Sequence, residues 1–241
     1  MRYSLTLLLA ATCTLANAAA VSGQGTWETT LQGRDLDGDA STYEAYYDTA
    51  LNITWLADAN YAKTSGYDAN GLMSWEAAKA WAAQLNINGV TGWRLPDVKP
   101  VNGSIFDSLY STAGTTDRGY NITSTQSELA HLYHVTLGNK SFYNTSGSYQ
   151  PGFGLQNSGP FSNVQSGIYW SGVEYAFYTN HAWDFSFYDG FQFDDYKLYE
   201  FSAWAVHPGD VPSIPEPDAF ALMGLGLAAI ALRRRSSSTS A

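Results

Sequence analysis

Hydrophobic and polar positions recur along this chain with two periods, and the change from one to the other marks out helices and strands. Leu51, Ile53 and Trp55 alternate with Asn52 and Thr54, the period of two of a half-buried strand. Upstream, Gln24–Leu31 is read as a first strand. A loop over Ala59–Leu72 leads to a helix with Ser74 as N-cap and Glu76 in its first turn. Ala78, Trp81, Ala82 and Leu85 share one face of it, and Asn86, Asn88 and Gly89 end it. A second helix is predicted from a capping box of Thr125 and Glu128, with Leu129, Leu132, Tyr133 and Leu137 buried and Gly138 closing it.

Between and after the helices the pattern loosens. Val98–Tyr120 reads as loop, with short apolar patches at Ile105-Phe106 and Leu109-Tyr110. Asn139–Asn163, rich in Gly, Ser, Asn and Tyr, is a second long loop. Loops beyond about 12–15 residues are usually functional or disordered. Ile168–Gly172 is a strand, and Trp183, Phe185 and Phe187 alternate with Asp184, Ser186 and Tyr188 to give one apolar and one polar face. Asp189-Gly190 turns the chain into Phe191-Gln192-Phe193 as a hairpin, and Ser202, Trp204 and Val206 mark a last strand. The predicted class is α+β, two main helices on a twisted antiparallel sheet.

The ends follow neither period. Arg2, the apolar stretch Leu5–Ala11 and the small residues Ala16-Asn17-Ala18 have the build of a secretory signal peptide, cleaved after Ala18 or, as second choice, Ala20. At the other end Pro215-Glu216-Pro217 precedes an uncharged apolar run, Ala219–Leu232, that stops at Arg233, Arg234 and Arg235. As a helix this run reaches roughly 21 Å, short of the ~30 Å hydrocarbon core, a temporary anchor whose arginines stay cytoplasmic. The expected division is 1–20 signal peptide, 21–210 body and 211–241 tail.

The order Pro-Glu-Pro, short apolar helix and arginine cluster resembles the PEP-CTERM sorting signal of Gram-negative bacteria. The resemblance implies processing by an exosortase after a transient stay in the inner membrane, and delivery to the surface, typically in species that make exopolysaccharide. An ordinary C-terminal anchor is the alternative.

Composition then removes several function classes. The only cysteine, Cys13, lies inside the signal peptide, so the body carries no disulfide, thiolate metal site or cysteine nucleophile. A lipidated Cys13 would want a small residue before it, where Thr12 stands, and it falls ahead of the Ala-x-Ala site. Between residues 21 and 210 eight Lys and Arg face twenty Asp and Glu, a net charge near −12. Such a surface repels phosphates, so nucleic acid is not an expected partner. Seventeen tyrosines and eight tryptophans suit an extracellular β-rich domain or a carbohydrate binder.

Acidic and histidine clusters offer metal readings. Asp35, Asp37 and Asp39 could ligate Ca²⁺, but Gly38 and Tyr46 do not fit an EF-hand loop, and a turn through Asp37-Gly38 is the simpler reading. Glu128, His131 and His134 at steps of three could share a helix face as metal ligands, or pack and solvate. No metal and no cofactor is expected.

Trp93-Arg94-Leu95-Pro96 after a Trp- and Ala-rich helix, the upstream strand Tyr47-Asp48-x-x-Leu51-x-x-x-Trp55, and the later Tyr169-Trp170-Ser171 together resemble the DUF1566 family, the Lcl C-terminal domain, over about Ala45–Val206. The resemblance implies a C-type-lectin-like or formylglycine-enzyme-like fold. The family's usual Arg- and Cys-containing last strand is replaced here by Phe201–Val206. Read from its residues, Trp93 and Leu95 belong to the core, Pro96 fixes the chain's exit, and Arg94 pairs with an aspartate or, alternatively, binds carbohydrate.

For ligand chemistry the exposed rings Tyr143, Tyr149, Tyr175, Tyr178 and Tyr188, with Asp184 and Asp189 beside them, could stack on sugars and bond their hydroxyls. The chain has no Gly-x-Ser-x-Gly elbow, P-loop, GxGxxG turn or HExxH. Asp184, Asp189, Asp194, Asp195 and Glu200 could supply a carboxylate pair for glycoside hydrolysis, or form the solvated face of a sheet. The leading expectation is a non-enzymatic exported surface or matrix protein that contacts polysaccharide. The alternatives are an extracellular carbohydrate-active enzyme and a purely structural, self-associating matrix protein.

Overall fold

Two β-sheets meet at Trp204, in a computed structural model that describes residues 18–39 and 41–214. The smaller sheet is antiparallel, in the order β1 (Leu31–Arg34), β2 (Ala45–Asp48), β3 (Ile53–Leu56) and β11 (Val206–Pro208). The larger is mixed. It runs β4 (Leu72–Met73), β10 (Phe201–Ser202), β7 (Ile168–Glu174), β8 (His181–Ser186), β9 (Phe191–Tyr196), β6 (Arg118–Tyr120) and β5 (Tyr110–Ser111). Only β10–β7 and β5–β6 pair in parallel. Few helices accompany the sheets, so the body is α+β. Among the described residues no helix is long and apolar enough to cross a membrane. The signal-peptide apolar stretch, Cys13, Ala16 and the tail from Pro215 onward lie outside the described residues.

The predicted last strand is two strands in different sheets. After β10 the chain passes through Ala203-Trp204-Ala205, all buried, and enters the small sheet as β11. Trp204 sits at this crossover, its ring 5.1 Å from Trp55, 4.9 Å from Phe161 and 5.8 Å from Tyr169, and its indole N–H donates to Leu56 O at 2.8 Å. Burying a ring this size on every side while pairing its polar atom is the strongest packing an aromatic offers. β3 also departs from expectation: Ile53, Thr54, Trp55 and Leu56 are all buried, because both of its faces are covered. Thr54 tolerates this by donating its hydroxyl to Gly209 O.

Helix α3 (Trp75–Gln84) forms as predicted, with Ala78, Trp81 and Ala82 buried. Ser74 occupies the N-cap with extended backbone but makes no side-chain cap bond. The second helix starts later than the sequence suggests. Its N-cap is Ser127, α4 spans Glu128–His131, and it continues as a π-turn over Leu132–Thr136 before Gly138. The capping box fails because Glu128 bonds elsewhere, as described below. The wide π-turn has a partner: the Thr26 N–H lies 3.2 Å from Val135 O and 2.9 Å from Thr136 O. That contact also overrides the expected strand at Gln24–Leu31, where the chain forms one helical turn, α1 (Trp27–Thr30), before β1. Gly25 permits the approach, since a Cβ there would lie 2.3 Å from Thr136 O. The stretch Val98–Tyr120 contains β5 and β6 as well as loop. Buried Asp117 shapes it by accepting the N–H groups of Val101 and Asp107, each at 2.6 Å. A last short helix, α2 (Tyr61–Thr64), lies between β3 and β4.

Candidate functional site

The Trp-Arg-Leu-Pro run stitches these parts together. Arg94 and Val206 exchange both backbone bonds at 2.8 Å, which adds the run to the edge of the small sheet. Pro96 O then accepts from Gly172 N at 2.7 Å on the bulge of β7, and Asp97 O from Glu128 N at 3.1 Å. Trp93 and Leu95 are buried as expected. The Arg94 guanidinium forks onto Glu128 with Nη1–Oε2 2.8 Å and Nη2–Oε1 2.7 Å, while Asp97 N donates to Oε2 at 2.6 Å. Arg94 is therefore structural, with a glutamate rather than an aspartate as its partner. Tyr169, Trp170 and Ser171 are equally internal: Tyr169 Oη accepts from Gln165 N, Trp170 donates to Met73 O, and Ser171 O accepts from the Trp75 indole.

The residues predicted to touch a ligand separate into three groups. Tyr143, Tyr149, Tyr188 and Asp189 come together over the long 139–163 loop. Phe142 is 4.8 Å from Tyr143, 5.2 Å from Tyr149 and 4.8 Å from Phe153, and Phe153 is 6.1 Å from Tyr188. Tyr149 and Tyr188 are 56 % and 60 % exposed. Asp189 accepts from Tyr120 Oη at 3.3 Å, and its main-chain O from Phe142 N at 2.8 Å, which ties the platform to the β8–β9 turn. Burial, then the charge of Asp189, pushes the Tyr120 phenol up. Phe142 and Phe153 were not anticipated. Their signal was present, two more aromatics within the loop already singled out.

Tyr175 and Tyr178 lie elsewhere, by the start of β8. Tyr175 is buried and Tyr178 exposed, with ring centroids 6.0 Å apart, and His181 is 5.6 Å from Tyr178 and 4.1 Å from Tyr196. Asp194 holds His181 through Nδ1 at 2.8 Å.

Asp184 belongs to neither group. It is 2 % exposed, sits between Trp170 of β7 and Phe193 of β9 in register, and leaves Oδ2 buried without a hydrogen-bond partner. Burial, reinforced by Asp195, Asp194 and Asp189, raises its pKa well above the carboxylate range. The expected solvated polar face of β8 is thus corrected at this position. Of the five carboxylates considered for hydrolysis, Asp184 is buried, Asp194 is engaged by His181 and Arg118, and Glu200 lines a separate cleft of about 570 Å³ beside Gln165–Ile168.

Two clusters bear on metals. Asp35 and Asp37 group with Glu44, their oxygens within 4.8 Å of one another, whereas Asp39 turns to Ser41. Asp35 Oδ1 already accepts from Asp37 N and Gly38 N, Asp37 Oδ1 from Asp39 N, and Glu44 Oε2 from Leu36 N. This is the bonding of a turn through Asp37-Gly38. Of the two readings of Glu128, His131 and His134, shared metal ligation or packing, the contacts are those of packing. Glu128 is held by Arg94, His131 Nδ1 lies 2.8 Å from Thr123 O, and His134 packs against Tyr133 and Phe185, where burial lowers its pKa to about 4.

Comparison with known families gives two matches. The Lcl C-terminal domain matches residues 44–207, and the PEP-CTERM protein-sorting motif matches residues 213–235. No curated protein and no solved structure matches the chain.

Proposed function

The chain belongs to the Lcl C-terminal domain family and carries a PEP-CTERM signal for exosortase processing and export, and we propose that its body is a non-catalytic, lectin-like module that contacts exopolysaccharide at the cell surface. One observation carries this reading: two exposed rings, Tyr149 on the longest loop of the body and Tyr188 on the β8–β9 turn, are joined into one platform by the half-buried Phe142 and Phe153. Flat rings at the exposure of Tyr149 and Tyr188 stack on the apolar faces of sugar rings. The helix α3 packed on β4 and β7, with an aromatic platform built on a long loop, supports the lectin-like comparison. The tail's transient anchoring in the inner membrane forms part of the same proposal.

The test has two arms. Exported protein is incubated with exopolysaccharide from its own producer, and retention of wild type is compared with the Tyr149→Ala/Tyr188→Ala pair. Retention of wild type and loss in the pair is expected; equal retention removes the platform. Deleting the exosortase should leave the protein unprocessed and cell-associated, whereas unchanged release would overturn the sorting part.

A further inference from the structure

A groove beside the end of the small sheet where Ala45 of β2 pairs with Leu56 of β3 carries a second constellation, made of residues outside the aromatic platform. It has two compartments, about 260 Å³ and about 220 Å³, which share Tyr61, Asn86 and Ile87 and so adjoin. Tyr43, Glu44, Asp58 and Asn88 complete the first; Tyr67, Gln84 and buried Trp81 complete the second. Each is just under the ~300 Å³ lower end of pockets for drug-sized ligands, room for one ring apiece.

The parts are set in place before any ligand arrives. Tyr43 is half exposed and lies flat against Gly33, where a Cβ would fall 2.4 Å from the ring. Asn88 and Gly89, both at positive φ, form a tight turn closed by Ile87 and Val90 exchanging bonds at 2.9 Å. Gly89 N donates to Asn86 Oδ1 at 2.8 Å, which orients that amide and leaves its NH₂ with no protein partner among the described residues. Asp58 accepts from Asn60 N at 2.8 Å and Asn163 Nδ2 at 2.9 Å, so each carboxylate oxygen keeps a lone pair. Three tyrosine rings, three side-chain amides and the Asp58 carboxylate therefore line one groove, with no Lys, Arg or His beside them, while the Glu44 carboxylate turns to Leu36 N and the Asp35–Asp37 turn.

Rings supply stacking faces, amides both donate and accept, and carboxylates only accept. That set suits a polyhydroxylated ring and repels an anion. We infer that this groove binds a non-acidic oligosaccharide, neutral or amino-substituted, across two adjacent rings with Tyr61 between them. Asp58 accepts hydroxyl or ammonium hydrogens, and Asn86 and Asn88 bond the ligand through their amides. The proposal does not rest on the aromatic platform; both sites on one body would let it bridge two chains.

The test is a printed panel of neutral, amino-sugar and uronic-acid oligosaccharides, probed with the exported protein. Retention on neutral or amino-sugar members of two or more rings is expected, weakened about tenfold or more by Tyr61→Ala, as for an aromatic hot spot. Asn88→Gly keeps the turn and should weaken binding as well, which guards against misfolding of the tyrosine variant. The platform pair Tyr149→Ala/Tyr188→Ala should leave this retention unchanged, so failure here and failure of the platform are separable. Retention on uronic-acid members at equal strength, retention on none, or indifference to both groove variants would overturn it.

Discussion

Removing Arg94 should cost more than any surface ion pair would lead one to expect. Glu128 is only 10 % exposed at its side chain and Arg94 33 %. Arg94→Ala leaves that carboxylate with one remaining bond, from Asp97 N. Breaking a fully buried pair costs about 3–5 kcal/mol by stranding a charge. Because Arg94 is one-third exposed, water reaches the vacated site, and about 2–3 kcal/mol is the reasonable figure. For a body of this size that is a Tm drop of about 4–12 °C. Arg94→Met combined with Glu128→Leu removes both charges and should cost no more than about 1 kcal/mol, from the orphaned Asp97 N–H. Urea unfolding followed by tryptophan fluorescence on wild type, Arg94→Met, Glu128→Leu and the double variant gives the coupling energy directly. A drop below about 2 °C for Arg94→Ala, or a double variant as unstable as the two singles summed, would refute the argument.

Other predictions follow from buried groups. Burial raises the Asp184 pKa, so the folded carboxyl holds its proton while the unfolded one has ionised, and stability is lost as pH rises through the folded value. Asp184→Asn should therefore raise the urea midpoint at pH 8 relative to wild type and lose that advantage toward pH 4; a lower midpoint at both would contradict the assignment. His134 works in the opposite direction. Its folded pKa of about 4 lies below the unfolded value of 6.5, so its contribution is full above pH 6.5 and lost as pH falls toward 4. An NMR titration of its ring should show a midpoint near 4; one above 6 would show that the ring is hydrated. Gly25→Ala places a Cβ 2.3 Å from Thr136 O at a φ of +75°, and should destabilise by about 2 kcal/mol or more, read as a urea midpoint.

How much of this was legible in the chain depended on the range of the interactions involved. Helix α3 and the β8–β9 hairpin were readable because Ala78, Trp81 and Ala82 and the Asp189-Gly190 turn carry their own instructions within a few residues. The helical turn at Trp27–Thr30 was not, because the carbonyls that capture Thr26 N lie more than a hundred residues away. The split of the last strand was also hidden. Ser202, Trp204 and Val206 keep a period of two, but alternation does not report a change of sheet, and Trp204 is where the chain leaves one sheet for the other. Asp184 misled for a related reason: alternation marks the polar side of β8, yet Trp170 and Phe193 flank that side in a central strand.

The same reasoning locates the function. Trp93, Leu95, Pro96, Tyr169, Trp170 and Ser171 are all buried, and Arg94 spends its charge on Glu128. Their polar groups are spent on neighbouring strands, on α3 and on α4, although Trp93, Arg94 and Leu95 also line a cleft of about 290 Å³ with Asp97 and Lys79. The motif therefore specifies a scaffold, and a scaffold alone does not choose a substrate. The groups proposed to contact ligand come instead from connecting segments: Tyr149 and Tyr188 at one site, Tyr43, Asn86 and Asn88 at another. Two chains with identical motifs and different loops should consequently share stability and differ in ligand. Grafting residues 142–153 from one such chain into another should transfer polysaccharide preference, whereas Arg94→Ala within the Trp-Arg-Leu-Pro run should change stability alone.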